Sequence, residues 1–294
     1  MNRLLGSGPL LMVLASLAFT TMVACARFAR QEMAGVELVF WRAVISLPLL
    51  VLAARGVHLA IGPGRGALLL RSALGFCAMT CFYVAALEVD LLTLSLVMRL
   101  QPILVTLAAP VVLDSTEYAG RGAIVAALFG FAGSALLAAP KLQAGSWMIL
   151  FALGAPVFSA GAHLALRRVA PHNSGTAIVT WFHLIMIPLA LGGTALGHGG
   201  APTLPTAAIL WPVLGVGLFA TVGQLLMTRA YRVERASLVA SASYAGVLFA
   251  LVYDLLLFGE HPTWWALPGG AMVIGSSLWL VIRAQRKRAI GMPN

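Results

Sequence analysis

The chain has 294 residues, of which 61% are hydrophobic and only 10% charged, and its mean hydropathy is +0.95. Soluble domains are nearly half apolar and about a quarter charged, so this composition excludes a protein whose main solvent is water. The net charge of +10 would suggest nucleic-acid binding in a soluble protein. Here the basic residues stand singly or in small clusters between apolar runs, a pattern that indicates membrane topology and no nucleic-acid partner.

Apolar runs bounded by charge, proline or glycine predict helices along the whole chain. The first run follows Arg3 and is too long for the apolar part of a signal peptide, so it is interpreted as the first helix. At about 20 residues per crossing, the length leaves room for roughly ten spans. The predicted helices lie at about 8–26, 35–54, 66–87, 91–112, 119–139, 146–166, 175–196, 207–229, 236–258 and 264–283.

Lysine and arginine are distributed unequally between the two sides of these spans. One side holds only Arg27, Arg30 and Lys141. By the positive-inside rule the other side is cytoplasmic, which predicts a bacterial inner-membrane protein with both termini in the cytoplasm. The residues on that side are Arg3, Arg55, Arg65, Arg71, Arg121, Arg167, Arg168, Arg229, Arg232, Arg235, Arg283, Arg286, Lys287 and Arg288.

A faint internal repeat divides the chain. Ala86 precedes Glu117 by nearly the same spacing that separates Ala230 from Glu260, and an apolar helix with glycines follows each acid. We therefore predict an all-α integral membrane protein of ten transmembrane helices, with one five-helix repeat in 1–140 and a second in 141–294. Because five is odd, the second repeat is inverted relative to the first. The alternative is a chance match between helices rich in alanine, glycine and leucine.

Three stretches resemble a known family: ELVFWRAVISLPLL, FYVAALEVDLLTLSLVMRLQPILVTLAAPVVLDSTEY and LMTRAYRVERASLVASASYAGVLFALVYDLLLFGEHPTWWALPGGAMVIGSSLWLVI. With them the chain is similar to a drug/metabolite transporter of the EamA type over nearly its whole length. The resemblance implies a central cavity between two five-helix repeats and transport of small organic metabolites, in many members by export. The second half carries Ala245 and Gly246 where the first has Gln101 and Pro102, so a bend that depends on the proline is expected to be asymmetric.

Charges inside the predicted spans are the strongest candidates for transport, because such groups are costly in hydrocarbon and face protein or water. Arg99, near the middle of the fourth helix, could bind a carboxylate or phosphate, or pair with Asp254 or helix carbonyls. Arg42 suits either a cavity position or snorkelling to the periplasmic surface. Asp254, in the outer half of the ninth helix, could carry a coupling proton, or simply be paired or solvated.

Polar side chains in the same helices are further candidates. Gln101, Tyr244 and Tyr83 offer hydrogen bonds to a solute, although the rings also suit packing. His163 and His183 could titrate in a coupling step, whereas a hydrogen-bonded packing histidine is the commoner case.

Enzyme, cofactor and metal signatures such as HExxH, a Walker loop or GxSxG are missing from the sequence, which predicts a non-enzyme without a cofactor or metal. The predicted function is secondary transport, with export expected, of an amino acid or another zwitterionic or anionic solute. Its predicted partners are that solute, the lipid bilayer and a possible coupling proton. The alternatives are import of a nucleotide-like or adenosyl compound and, from another class, a membrane partner or receptor that transports nothing.

Overall fold

A computed structural model of the protein describes residues 7–54, 62–85, 97–113, 121–138, 149–198, 200–259, 264 and 266–289. Every regular element in this part of the chain is helical. The α-helices are α1 (Gly8–Ala29), α2 (Gly35–Ala54), α3 (Arg65–Ala85), α4 (Gln101–Val112), α5 (Arg121–Ala138), α6 (Ile149–Val169), α7 (Gly175–His198), α8 (Leu210–Val233), α9 (Ala236–Ala242), α10 (Ala245–Phe258) and α11 (Ala266–Ala289), and a 3-10 turn (Ala170–His172) follows α6.

Seven helical stretches are long and apolar enough to cross a membrane by length and composition, namely 8–29, 35–54, 65–82, 150–172, 175–196, 210–233 and 236–258. Shorter apolar helices in the described residues lie at 101–112, 121–133 and 267–276. Each of the ten predicted segments contains helix in its described part, although turns occupy 99–100, 207–209, 243–244 and 264. The predicted class, an all-helical integral membrane protein, is confirmed at this level. The spacing of Ala86 and Ala230 from Glu117 and Glu260 falls partly outside the described residues.

Two segments predicted as continuous helices are interrupted. In the first half, Arg99 and Leu100 form a turn before α4, and in the second half Ser243 and Tyr244 form a turn between α9 and α10. The offset that pairs Gln101 with Ala245 also pairs these two turns. Each is tightened by a bond to the carbonyl three residues back, at 3.0 Å from Leu100 N to Val97 O and 3.3 Å from Tyr244 N to Ser241 O.

Both halves are thus interrupted at this position, with or without the proline. A proline at 102 follows the first turn, but the second turn forms without one. The Ser243 hydroxyl donates to the Ala240 carbonyl at 2.6 Å. A serine side chain can compete in this way with the backbone bonds that continue a helix.

Hydrogen bonds tie together one end of the bundle. Arg167 Nη1 donates to the carbonyl of Tyr231 at 2.7 Å, and Arg232 Nε donates to that of Ala170 at 2.9 Å. Arg232 also reaches the carbonyl of Asn173. These arginines belong to the side predicted as cytoplasmic, and they cap carbonyls at helix ends where a positive charge is favourable.

The opposite end is built around acidic and hydroxyl groups. Glu37, in the first turn of α2, accepts bonds from the backbone N–H groups of Ala34 and Thr203, both at 2.9 Å. Glu32 accepts a bond from the Thr206 hydroxyl at 2.5 Å. A carboxylate at a helix N-terminus satisfies otherwise unpaired N–H groups and complements the helix dipole. The segment after α7 is thereby fastened to the start of α2.

Helices from the two halves pack directly on one another. The most extensive contacts join α1 to α8 and α3 to α6, followed by α5 to α11 and α2 to α7. Glycines allow the closest approaches: a Cβ on Gly217 of α8 would lie 2.3 Å from Ile45 Cγ2, and one on Gly130 of α5 would lie 2.6 Å from Tyr244 Cδ2. Small residues let backbones approach in this way in membrane bundles.

Arg71, which the sequence counts with the basic residues of the cytoplasmic side, has a buried side chain. It is only 3% exposed and points into the bundle. The helix begins at Arg65, so Arg71 lies in its second turn on the face that packs inward.

Candidate solute-binding cavity

A cavity of about 350 Å³ lies inside the bundle, with walls from α1, α2, α3, α6, α7 and α8 and from Met98. Small-molecule sites in proteins typically measure about 300–1,000 Å³. The walls are mainly thioether and aromatic, and they carry a few polar groups, namely Arg42, Arg71, Ser159, His163 and Gln224. Thus residues on both sides of position 140 contribute to one space of a size suited to a small solute.

Arg71 is the most deeply buried charge in the cavity wall. Its Nη2 donates to Gln224 Oε1 at 2.9 Å, and its guanidinium carbon lies 4.3 Å from the centroid of the Phe182 ring. Its Nη1 is buried and has no hydrogen-bond partner among the described residues. The amide and the ring hold the guanidinium plane in position, with one donor nitrogen still available.

Sequence reasoning missed Arg71, although a signal was present. Arg71, Gly75, Ala78 and Phe82 recur at spacings of three and four residues, which places them on one face of α3. All four line the cavity. This spacing was the signal that α3 presents one face to a cavity. A count of the charges on each side of the membrane does not detect it.

Arg42 faces the same cavity from α2. The sequence left open whether this residue snorkels to the surface or lines a cavity, and the structure brings it into the wall. Its positive charge and that of Arg71 repel one another. Two helices of the first half thus direct positive charge into one space.

His163 is the predicted coupling candidate that lines the cavity. Its Nδ1 lies 2.7 Å from the carbonyl of Ser159, so the bond requires the proton on Nδ1 and leaves Nε2 as an acceptor when the ring is neutral. Its ring centroid is 5.4 Å from that of Tyr231, and the Gln101 side chain lies beside the Tyr231 hydroxyl. A row of polar groups therefore runs from the cavity to the start of α4.

His183 lies behind the cavity wall. Its Nδ1 is 2.8 Å from the Val179 carbonyl, and its ring stands edge-on to Phe182 at 5.3 Å between centroids. The side chain is 1% exposed, and Nε2 has no hydrogen-bond partner in the described part of the chain. His183 therefore packs against a residue of the wall without lining the cavity itself.

Arg99 lies where the two interrupted helices meet. Its carbonyl accepts a bond from the Tyr244 hydroxyl at 2.8 Å, and its Nη1 is 3.9 Å from the point where a Cβ on Gly246 would stand. Its neighbour Met98 lines the cavity, but Arg99, Gln101 and Tyr244 are not among the described lining residues. The structure thus gathers three predicted binding residues at a helix junction next to the cavity.

Asp254 lies at the end of the bundle predicted as periplasmic. It accepts a bond from Arg27 Nη1 at 2.7 Å, and the Arg27 guanidinium also lies 3.7 Å from the centroid of Phe258. The Thr21 and Tyr253 hydroxyls are 2.8 Å apart in the same layer. These contacts join α1 to α10 at that end.

The side chain of Tyr83, the remaining predicted residue, lies outside the described part of the structure.

The helical fold and the internal cavity define a multi-pass membrane protein with a space for a small solute. The sequence model of the EamA-like transporter family matches residues 6–139 and again residues 146–282. The chain therefore belongs to the EamA-like transporter family, whose members are transporters rather than enzymes.

Several characterised and uncharacterised transporters are similar to it. The pseudopaline exporter CntI of Pseudomonas aeruginosa is 28% identical over 92% of this chain and 94% of its own length. The riboflavin transporter of Rhizobium johnstonii is 26% identical over 96% of this chain and 94% of its own. A protein crystal structure matches with a TM-score of 0.81 over 95% of this chain and 98% of that chain, at 17% identity, which supports the fold alone.

Proposed function

We propose that the chain is a secondary transporter that exports a small organic metabolite, an amino acid or another zwitterionic or anionic solute, across the bacterial inner membrane. The observation that carries this proposal is the internal cavity of about 350 Å³, whose wall holds Arg42 and Arg71 within otherwise apolar surroundings. Charges in a bundle interior mark solute or ion pathways, since they are costly to keep there without a function.

Alternating access between two inverted five-helix halves is the proposed mechanism. Its support is the pattern of contacts between the halves. If α1, α2 and α3 of the first half correspond to α6, α7 and α8 of the second, the contact of α1 with α8 corresponds to that of α6 with α3. These two contacts are the most extensive in the described residues. The two interrupted helices fall at corresponding positions as well. In transporters with inverted repeats, one half rocks against the other around a site between them, and interrupted helices lie beside that site.

Export rests on similarity to an exporter, the pseudopaline exporter CntI. Energy would come from the solute gradient or from a coupled proton, for which His163 is the candidate that faces the cavity. A second candidate function, transport of a nucleotide-like compound, is favoured by the similarity to a riboflavin transporter. In that case Phe19, Phe82 and Phe182 of the cavity wall would stack on the ring system.

The test uses the full chain in proteoliposomes loaded with a small-molecule extract of bacterial cytoplasm, with mass spectrometry of what leaves. We expect at least one metabolite to leave faster than from liposomes without protein. In Gly75→Leu the added side chain starts 3.1 Å from Phe182 Cε2 and extends into the cavity, so this efflux should stop. Efflux that is absent, or that continues unchanged in Gly75→Leu, would contradict transport through this cavity.

Gly192→Leu is the matched control for that experiment. Gly192 lies in α7, and a Cβ there would meet no atom within 4 Å. The same substitution on an outward-facing helix surface should leave efflux unchanged. A loss of efflux in both variants would indicate a general defect in folding instead of a filled cavity.

A further inference from the structure

Building on the proposed function, we infer that the cavity takes an organic anion with an apolar body, and that Arg71 and Arg42 together bind its acidic group. This narrows the solute class from any zwitterionic or anionic metabolite to organic acids. It also moves the anion-binding role from Arg99, which the sequence favoured, to Arg71. The sequence counted Arg71 only among the basic residues of the cytoplasmic side.

The geometry of Arg71 is suited to an acid. Gln224 Oε1 holds Nη2 at 2.9 Å, and the Phe182 ring faces the guanidinium carbon at 4.3 Å. Nη1 stays buried without a hydrogen-bond partner in the described residues. A buried donor without an acceptor is costly, and a charge-assisted bond to a carboxylate would satisfy it. The guanidinium is therefore already oriented for a ligand oxygen.

Arg42 adds the second reason for an anion. It lines the same cavity, and its charge repels that of Arg71. Two cations in one wall give the cavity a positive potential, which favours the entry of a negative charge. An acidic group would be attracted by both guanidinium groups, whereas a neutral solute would gain nothing from their charge.

The remainder of the wall indicates what is attached to the acid. Phe19, Met79, Phe82, Met98, Phe182 and Met227 give the cavity an apolar surface around the two arginines. Methionine and phenylalanine side chains adapt to apolar ligands of varied shape. An ammonium group on the same solute would lie in the field of two guanidinium groups, so an amino acid should bind more weakly than the matching acid.

The experiment compares three probes that share a phenyl group and a three-carbon chain and differ in charge: 3-phenylpropionate, phenylalanine and 3-phenylpropylamine. Binding is measured by calorimetry on the full chain in nanodiscs at neutral pH. We expect 3-phenylpropionate to bind about tenfold or more tightly than phenylalanine, and 3-phenylpropylamine not to bind. Equal binding of the acid and the amino acid, or no binding of the acid, would overturn the inference.

Variants locate the acid in the cavity. Arg71→Gln should weaken 3-phenylpropionate binding about tenfold or more, and Arg71→Lys should restore part of it, because it keeps the charge and loses the planar fork. Arg65→Gln is the control: Arg65 lies on the same helix and is exposed, so binding should not change. Unchanged binding in Arg71→Gln would overturn the assignment to Arg71. If that variant does not fold, the ranking of the three probes on the original chain still decides the solute class.

This inference and the proposed function can fail separately. If a metabolite leaves the loaded proteoliposomes and Gly75→Leu stops it, but the three probes bind alike, only the anion assignment fails. If the acid binds as expected and no metabolite leaves, the chain has an anion site but is not the proposed transporter.

Discussion

Arg99 and Tyr244 meet through one hydrogen bond, from the tyrosine hydroxyl to the arginine carbonyl at 2.8 Å. Because Arg99 is at a helix junction and Arg71 is in the cavity wall, their substitutions should differ in kind. We expect Arg99→Gln to slow efflux several-fold while the affinity for 3-phenylpropionate changes less than about twofold. Efflux rates and calorimetry on the same variant measure the two quantities. A loss of affinity as large as that in Arg71→Gln would instead support the sequence-based prediction that Arg99 contacts the solute.

The Arg27–Asp254 pair lies at 2.7 Å, but the two side chains are 41% and 38% exposed. Exposed pairs contribute little, so Asp254→Asn should lower the free energy of unfolding by less than about 1 kcal/mol. Chemical unfolding of Asp254→Asn, Arg27→Gln and the double variant, combined as a cycle, measures the coupling of the pair. Should Asp254→Asn abolish efflux driven by a pH gradient while the fold stays intact, the role of Asp254 as proton carrier would be supported.

The orientation of arginine side chains could be predicted from the sequence only in part. The sequence predicted that intramembrane arginines face inward, and Arg42 does line the cavity. It counted Arg71 only among the basic residues of the cytoplasmic side and did not propose it for the cavity. Which way that side chain turns depends on how α3 packs against α6 and α7, and these contacts join residues far apart in the chain.

At the scale of elements, the helix pairs depend on close backbone approach, which gives a prediction about glycine. A Cβ on Gly217 of α8 would lie 2.3 Å from Ile45 Cγ2 and 2.5 Å from Ile45 Cβ, so α2 and α8 would have to separate. Gly217→Ala should therefore destabilise the protein by about 1–3 kcal/mol. Gly192→Ala, in open space on α7, should stabilise it by up to about 1 kcal/mol, since alanine favours helix. Thermal unfolding of both variants tests the difference, and equal shifts would contradict the close packing.

Hydropathy predicted the positions of the helices well but not their interruptions. The segment 236–258 is apolar on average despite its serines and Asp254, so a window average treats it as one helix. The turn at Ser243 and Tyr244 depends on local hydrogen bonds and on the crossing with Arg99. A clear local end signal is present only later, where Gly259 adopts φ +64° and terminates α10.

At the scale of the whole molecule, the two ends of the bundle differ in charge. Arg167, Arg168 and Arg232 bind helix carbonyls at one end, whereas Glu32 and Glu37 bind hydroxyl and N–H groups at the other. We expect the arginine-rich end to be cytoplasmic. A C-terminal green fluorescent protein fusion should then fluoresce and a C-terminal alkaline phosphatase fusion should be inactive. The reverse result would contradict the proposed orientation of both termini.

The buried guanidinium of Arg71 has a consequence for biogenesis. The stretch 65–82 has a mean hydropathy of 1.2, the lowest of the seven long stretches, and carries both Arg65 and Arg71. An arginine opposes insertion by about 2.5–3.5 kcal/mol at a helix centre, and Arg71, in the second turn of α3, carries part of that cost, so we expect a lone α3 to insert less readily than the other long helices. Helix α6, which packs on α3, is synthesised later. The charge of Arg71 is therefore buried only after the second half of the chain has been made. Truncation before α6 should leave α3 prone to slip out of the membrane and reach the quality-control proteases, and Arg71→Leu should abolish that defect.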